Sequence, residues 1–294
     1  MVEHARVISP PKASVKDYIQ LMKPGIVVWL MITAFSAMVV AAHGIPPIST
    51  MVWTLMGLGL SAGGAHAVNM WYDRDIDRIM KRTQNRPVVT GKISPEQALA
   101  FGIAAGLVSF IGLGVLVNWL TASATLAGYL FYIFVYTMWL KRRSAQNIVI
   151  GGAAGAFPPI VGWTAVTHQL GWAPWLMFLL IFLWTPPHFW SLALYKQDDY
   201  RRAEIPMMPI VRGPRVTKAQ NVVYAVLTVL ASVGLYFTHT VSLIYLVSAI
   251  VLGVVFVGYT VRLWLEPDSE TVWAKKTFFF SLMYIAGLFV VMMI

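Results

Sequence analysis

Cysteine is absent from this chain of 294 residues. That excludes disulfides, thiolate metal sites and covalent c-type attachment of haem. Charge is scarce too: Asp, Glu, Lys and Arg make up 12% of the residues, against about 25% in soluble proteins. Hydrophobic residues fill 58% of the chain instead, so a soluble globular domain is excluded as well. Apolar runs fall at about 25–43, 47–68, 98–118, 122–140, 147–167, 173–194, 220–238, 241–261 and 277–294. Each has about the length that crosses a hydrocarbon core of about 30 Å. The fold class implied is all-α, a polytopic membrane protein of about nine transmembrane helices.

The few charges are not scattered. All 22 Lys and Arg fall in five groups: Arg6–Lys23, Arg74–Lys92, Lys141–Arg143, Lys196–Lys218 and Arg262–Lys276. The 12 acidic residues keep to the same groups or their edges. The connectors around His43–Pro47, Asn118–Thr121, His168–Gly171 and Thr238–Thr240 have no formal charge. Lys and Arg in short loops accumulate on the cytoplasmic side, so the N-terminus and the long loops are expected there and the C-terminus opposite. Residues 1–24 read as a cytoplasmic N-terminal segment and 25–294 as a single transmembrane domain. The first apolar run has no convincing cleavage site and reads as a retained span. The net charge of +10 is the product of this topology, which leaves the lipid bilayer, and not nucleic acid, as the partner. A bacterial inner membrane is the expected location, ahead of the mitochondrial one.

One charged stretch, NMWYDRDIDRIMKRTQNRP (Asn69–Pro87), begins where the second apolar run ends. Asn69, Asp73 and Asp77 are spaced by four, a step that advances about 400° on a helix and rises roughly 6 Å. They share one stripe, with Asp75 on the opposite face and Arg74, Arg78 and Arg82 on a second stripe. Oxygen-only ligands beside guanidinium groups suit magnesium bridging a polyvalent anion. A solvated helix end, where mixed charges are ordinary, is the competing reading. The second long loop, Tyr195–Pro209, adds Asp198 and Asp199 beside Lys196, Arg201 and Arg202 on the same membrane face. Carboxylates collected at one spot repel by about 4 kcal/mol per close pair at an effective dielectric of 20, so a site that gathers them implies bound cations. Magnesium can bridge carboxylates to a diphosphate, and a diphosphate attached to something lying in lipid is an isoprenoid diphosphate.

Paired prolines interrupt two consecutive spans, at Phe157-Pro158-Pro159 and Thr185-Pro186-Pro187-His188. Such kinks are tolerated in bilayers where a cavity or neighbours satisfy the freed carbonyls. Together they point to a bundle enclosing a central cavity open to the cytoplasmic face. His188 and His66, both within spans, are candidate functional residues, with a hydrogen-bonding structural role the alternative for His66.

The N-x3-D-x3-D pattern of Asn69, Asp73 and Asp77 resembles the signature of the intramembrane, UbiA-type prenyltransferase superfamily. Its continuation through Met80, Arg82, Thr83, Arg86 and Pro87 is similar to the protoheme IX farnesyltransferase (haem O synthase) family, as are TPPHFWSLAL (Thr185–Leu194) and DDYRRAEIPMMP (Asp198–Pro209). The resemblance implies that farnesyl diphosphate alkylates a vinyl group of haem b, that water completes the side chain, and that diphosphate leaves. It implies magnesium as cofactor, held with diphosphate by Asn69, Asp73, Asp77 and Asp199. Arg82 and Arg86 would contact phosphate oxygens with Lys81 as a helper, Asp198 would contribute beside Asp199 from the second loop, and Lys196 and Tyr195 are further substrate-binding candidates. His188, and second to it His66, would contact haem. Tyr195 stands where many superfamily members have the first carboxylate of a second D-x3-D, which leaves one ligand fewer. A downstream haem A synthase or oxidase assembly factors are the implied protein partners. The alternatives are a prenyltransferase for another aromatic acceptor, such as a quinone precursor, and a transporter of a charged solute.

Overall fold

The computed structural model describes residues 13–294, and every regular element among them is helical. Half of the expected segment 1–24, residues 1–12, lies outside those described, and the other half carries the short helix Val15–Leu21. Among the described residues, nine helices are long and apolar enough to cross a membrane: Pro24–Ala42, Ile48–Tyr72, Pro95–Leu116, Trp119–Leu140, Asn147–Thr167, Trp172–Tyr195, Pro214–Tyr236, Leu243–Leu265 and Val272–Val291. Several helices begin or end beyond the apolar runs. The seventh span starts at Pro214, where hydropathy alone suggested 220, because helical backbone bonds continue beyond the point where Arg215 and Lys218 break the apolar pattern. At the start of the third span, Ser94 and Gln97 cap each other reciprocally (3.2 and 3.0 Å) and Pro95 occupies the first turn.

Lipid offers no hydrophobic drive between helices, so the spans meet where small residues let backbones touch. A Cβ added to Gly64 would lie 2.8 Å from the Gly102 carbonyl oxygen, so the second and third spans are in backbone contact. A Cβ on Gly162 would run into the Ala34 carbonyl of the first span. The sixth to ninth spans pack around Met177, Leu180, Tyr245, Phe256, Tyr284 and Phe289.

The two proline pairs act differently. The fifth span divides at Phe157 into Asn147–Ala156 and Pro158–Thr167. The sixth runs on through Pro186 and Pro187, with Thr185 Oγ1 donating to the Ile181 carbonyl (2.7 Å) and Ser191 Oγ to the Pro187 carbonyl (2.6 Å). In the fourth span, Phe131–Leu140 is wound as a π-helix, and Lys141 N bonds the Tyr136 carbonyl five residues back (2.9 Å). Stretches of this kind concentrate at functional sites. Nothing in the hydropathy pattern announces it.

The charged connectors meet each other. Arg82 Nη2, after the second span, donates to Tyr200 Oη, after the sixth (2.8 Å). Lys141 and Arg142, after the fourth, pair with Asp73 and Asp75. Lys218 donates to the carbonyls of Glu266 (2.7 Å) and Pro267 (3.1 Å), after the eighth. These contacts put the connectors on one face of the bundle, as the alternation of charge requires.

Candidate functional site

Asn69 lies in the last turn of the second span, and Asp73 ends it with φ −88° and ψ 7° before the short helix Arg74–Ile79 begins. The break does not destroy the stripe, because Asp73 N bonds Asn69 O (2.9 Å) and Asp77 N bonds Asp73 O (2.8 Å) across it. Asn69, Asp73 and Asp77 are exposed by only 2%, 0% and 2%. That removes the reading of a solvated helix end. Buried carboxylates need partners, and each has a cation on it. Lys141 Nζ bonds Asp73 Oδ2, Arg142 Nη2 lies 3.4 Å from Asp73 Oδ1, and Arg86 Nη1 lies 2.5 Å from Asp77 Oδ2. Asn69 Nδ2 donates to Asp73 Oδ2 (2.6 Å) and to Thr137 Oγ1 (3.2 Å), and Lys23 Nζ donates to Asn69 Oδ1 (2.9 Å).

Lys23 precedes the first span with a left-handed φ of 55°. Its burial, reinforced by the nearby Arg86 and Lys141 charges, holds the ammonium well below the usual lysine range. An anion arriving at this cluster would relieve that penalty.

Arg82 does not continue the stripe of Arg74 and Arg78. The helix ends at Ile79 and Met80 turns extended, with ψ 124°, so Arg82 swings over the Tyr200 ring, 4.9 Å from its centroid. Arg74 stays outside and donates to the Trp71 carbonyl (2.7 Å). Lys81 is exposed.

A cavity of about 520 Å³ opens beside this cluster. Lys23, Asn69, Arg82, Arg86, Lys141 and Tyr200 form its polar end, and His66, Tyr132, Tyr136, Phe157, Trp184, His188 and Phe189 line its apolar body. Asp73 and Asp77 lie behind Lys141 and Arg86, which face the cavity. The carboxylates thus hold cations toward the space where an anion would sit. Gly151 and Gly152 leave room for Tyr136 and Thr185, since a Cβ at either would clash with those side chains.

His188 is gripped between Trp184 (centroids 4.4 Å apart) and Phe278 (4.7 Å). Its Nδ1 lies 2.7 Å from Ser281 Oγ, whose own proton goes to the Phe278 carbonyl (2.7 Å). Ser281 therefore accepts from Nδ1–H, which leaves the lone pair on Nε2. His66 Nδ1 lies 3.2 Å from Tyr132 Oη, and its Nε2 is buried without a partner.

The acidic pair of the second loop sits apart from the cavity lining. Asp199 is buried against Arg202, Asp198 is exposed beside Arg201, and Lys196 Nζ lies 4.4 Å over the Tyr195 ring. Tyr200, which the sequence pattern did not mark, carries the second loop into the cavity. Lys23, Lys141 and Asn147 also escaped the sequence reading, the first two because their charges were accounted for by topology.

Among the described residues no three His, Asp or Glu side chains converge as a metal cage. Magnesium does not require one: it takes one or two carboxylates and completes its shell with phosphate and water. The oxygen donors of Asn69, Asp73 and Asp77, next to an anion-sized cationic pocket, fit that open kind of site.

The model of the UbiA prenyltransferase family matches residues 30–283. A protoheme IX farnesyltransferase of Symbiobacterium thermophilum is 53% identical over 280 residues, covering 95% of this chain and 94% of the relative. One of Bartonella bacilliformis is 47% identical over 296 residues, covering 100% and 94%. Among solved structures, one of a digeranylgeranylglyceryl phosphate synthase superposes with a TM-score of 0.79 at 17% identity, covering 95% of this chain and 97% of that one. A UbiA homolog from Archaeoglobus fulgidus bound to GPP and Mg2+ superposes with a TM-score of 0.64 at 20% identity, covering 95% and 100%. At these identities the structural likeness shows the fold, and the sequence match fixes the lineage. The chain is a multi-pass membrane enzyme that belongs to the UbiA prenyltransferase family, with relatives named protoheme IX farnesyltransferase.

Proposed function

We propose that the chain transfers the farnesyl group of farnesyl diphosphate to a vinyl group of haem b, giving haem O and diphosphate. The observation that carries this is the single cavity that joins a cationic, oxygen-backed end to an aromatic body containing a histidine with a free Nε2 lone pair. A diphosphate fits the first part and a lipophilic iron macrocycle the second.

Arg82, Arg86, Lys23 and Lys141 bind the diphosphate oxygens and stabilise the charge that builds on them as the allylic carbon–oxygen bond breaks. Magnesium held by Asn69, Asp73 and Asp77 would add Lewis-acid charge to the leaving group. Asp199, one residue from Tyr200, would join them on giving up Arg202, and Lys81, Lys196, Tyr195 and Asp198 would assist in binding the diphosphate. The allylic cation is shielded from early capture by the apolar wall, which Tyr132, Tyr136 and Trp184 help to line. His188 Nε2, whose lone pair is free, holds the haem through the iron. The cavity opens to the cytoplasmic face of a bacterial inner membrane, and the product passes to a haem-oxidising partner.

Diphosphate release from farnesyl diphosphate should require haem b in the purified protein. Release that is indifferent to haem b, or stimulated by a quinone precursor in its place, would contradict the reading.

A further inference from the structure

We infer that His66 is the general base that directs water onto the carbocation left after prenyl transfer. This rests on the proposed reaction and goes beyond it, because nothing in that reading says how the added water is activated. His66 precedes Asn69 by three residues on the second span, so it lies roughly one turn deeper along nearly the same face. On the proposed reading the diphosphate is anchored at the level of Asn69, at the polar end of the cavity, and the prenyl chain runs into its apolar body. His66 therefore stands beside the reacting carbons, below the leaving group.

Three features suit the role. The imidazole is 95% buried, its residue lines the cavity, and Nε2 has no hydrogen-bond partner in the protein. A buried, unsatisfied nitrogen in a native site calls for a water or a catalytic use. Tyr132 Oη, 3.2 Å from Nδ1, meets His66 edge-on with ring centroids 5.2 Å apart and fixes the ring. The role uses the tautomer in which Nδ1–H donates to Tyr132 and Nε2 keeps its lone pair.

The bonds balance as follows. The allylic carbon–oxygen bond breaks and its electron pair leaves on diphosphate. The vinyl π pair forms the new carbon–carbon bond and leaves a cation on the carbon attached to the macrocycle. A water oxygen forms a bond to that carbon, and one of its protons passes to His66 Nε2. Without the base, the same cation sheds a neighbouring proton and yields a product lighter by one water.

The test is the product ratio of the full-length enzyme in detergent, with haem b, farnesyl diphosphate and magnesium, for wild type, His66→Gln and Tyr132→Phe. Haem products are separated by mass, with isotopically labelled water marking the hydroxyl. His66→Gln should keep farnesyl diphosphate binding and prenylate haem while hydration falls by about a hundredfold or more, so that the dehydrated product dominates. Tyr132→Phe should shift the ratio the same way by less. A wild-type product ratio in His66→Gln overturns the inference, as does a loss of all products in proportion, which would mark a structural or binding role. A wild-type enzyme that prenylates no haem refutes the underlying reaction instead.

Discussion

Asp73→Asn isolates the buried carboxylate with the least change of shape. Asp73 Oδ2 accepts from Asn69 and Lys141, and Oδ1 lies 3.4 Å from Arg142. At that separation a unit charge pair is worth about 5 kcal/mol at an effective dielectric of 20. Removing one partner of a fully buried pair costs about 3–5 kcal/mol, but Lys141 and Arg142 retain 17% and 33% side-chain exposure, and water takes up part of the loss. A stability cost of about 1–3 kcal/mol is expected, with the protein still inserted. Catalysis should suffer more, because the substitution removes the carboxylate proposed to hold magnesium and frees Lys141 from its position at the cavity wall. A fall in kcat/KM of about a thousandfold, equivalent to about 4 kcal/mol of transition-state stabilisation, is the expected reading. The assay is haem-dependent diphosphate release in detergent, with thermal unfolding measured on the same sample. A folded Asp73→Asn enzyme within about fivefold of wild type, about 1 kcal/mol, would refute the role of the stripe.

The remaining predictions address other parts of the cavity. Burial and the Arg86 and Lys141 charges lower the Lys23 pKa from the ordinary lysine value of 10.5, so the ammonium loses its proton in a window below that value. Diphosphate binding should charge it, so binding takes up a proton and affinity falls as pH rises through that window; calorimetry in buffers of different ionisation enthalpy reads this, and Lys23→Met should abolish the uptake. His188→Ala should weaken haem b binding at least about tenfold, or about 1.4 kcal/mol, by spectroscopic titration, and an unchanged affinity would remove it as a haem contact. Gly162→Ala forces a methyl into the Ala34 carbonyl and should lower stability by about 1–3 kcal/mol or more, whereas Gly112→Ala, which meets nothing within 4 Å, should leave the unfolding midpoint in place.

Hydropathy and charge revealed the nine spans because bilayer thickness and the placement of Lys and Arg are constraints on single segments. The stripe of Asn69, Asp73 and Asp77 was legible for the same reason, being local. What the sequence left hidden depends on distant pairs. Lys23 meets Asn69 across 46 residues and Lys141 meets Asp73 across 68; in the sequence both look like ordinary topology charges. The extended backbone at Met80, which sends Arg82 out of the stripe and onto Tyr200, is decided by loop packing and not by four-residue spacing. The π-turns after Leu130, which bear Tyr132 and Tyr136, have no local signature in an apolar run.

The most direct test of the account offers purified enzyme both acceptors at once, haem b and a quinone precursor, with farnesyl diphosphate and magnesium, and follows both by mass. The account predicts that haem gains one farnesyl group and one water while the quinone precursor is unchanged. A prenylated quinone precursor beside unmodified haem would contradict it.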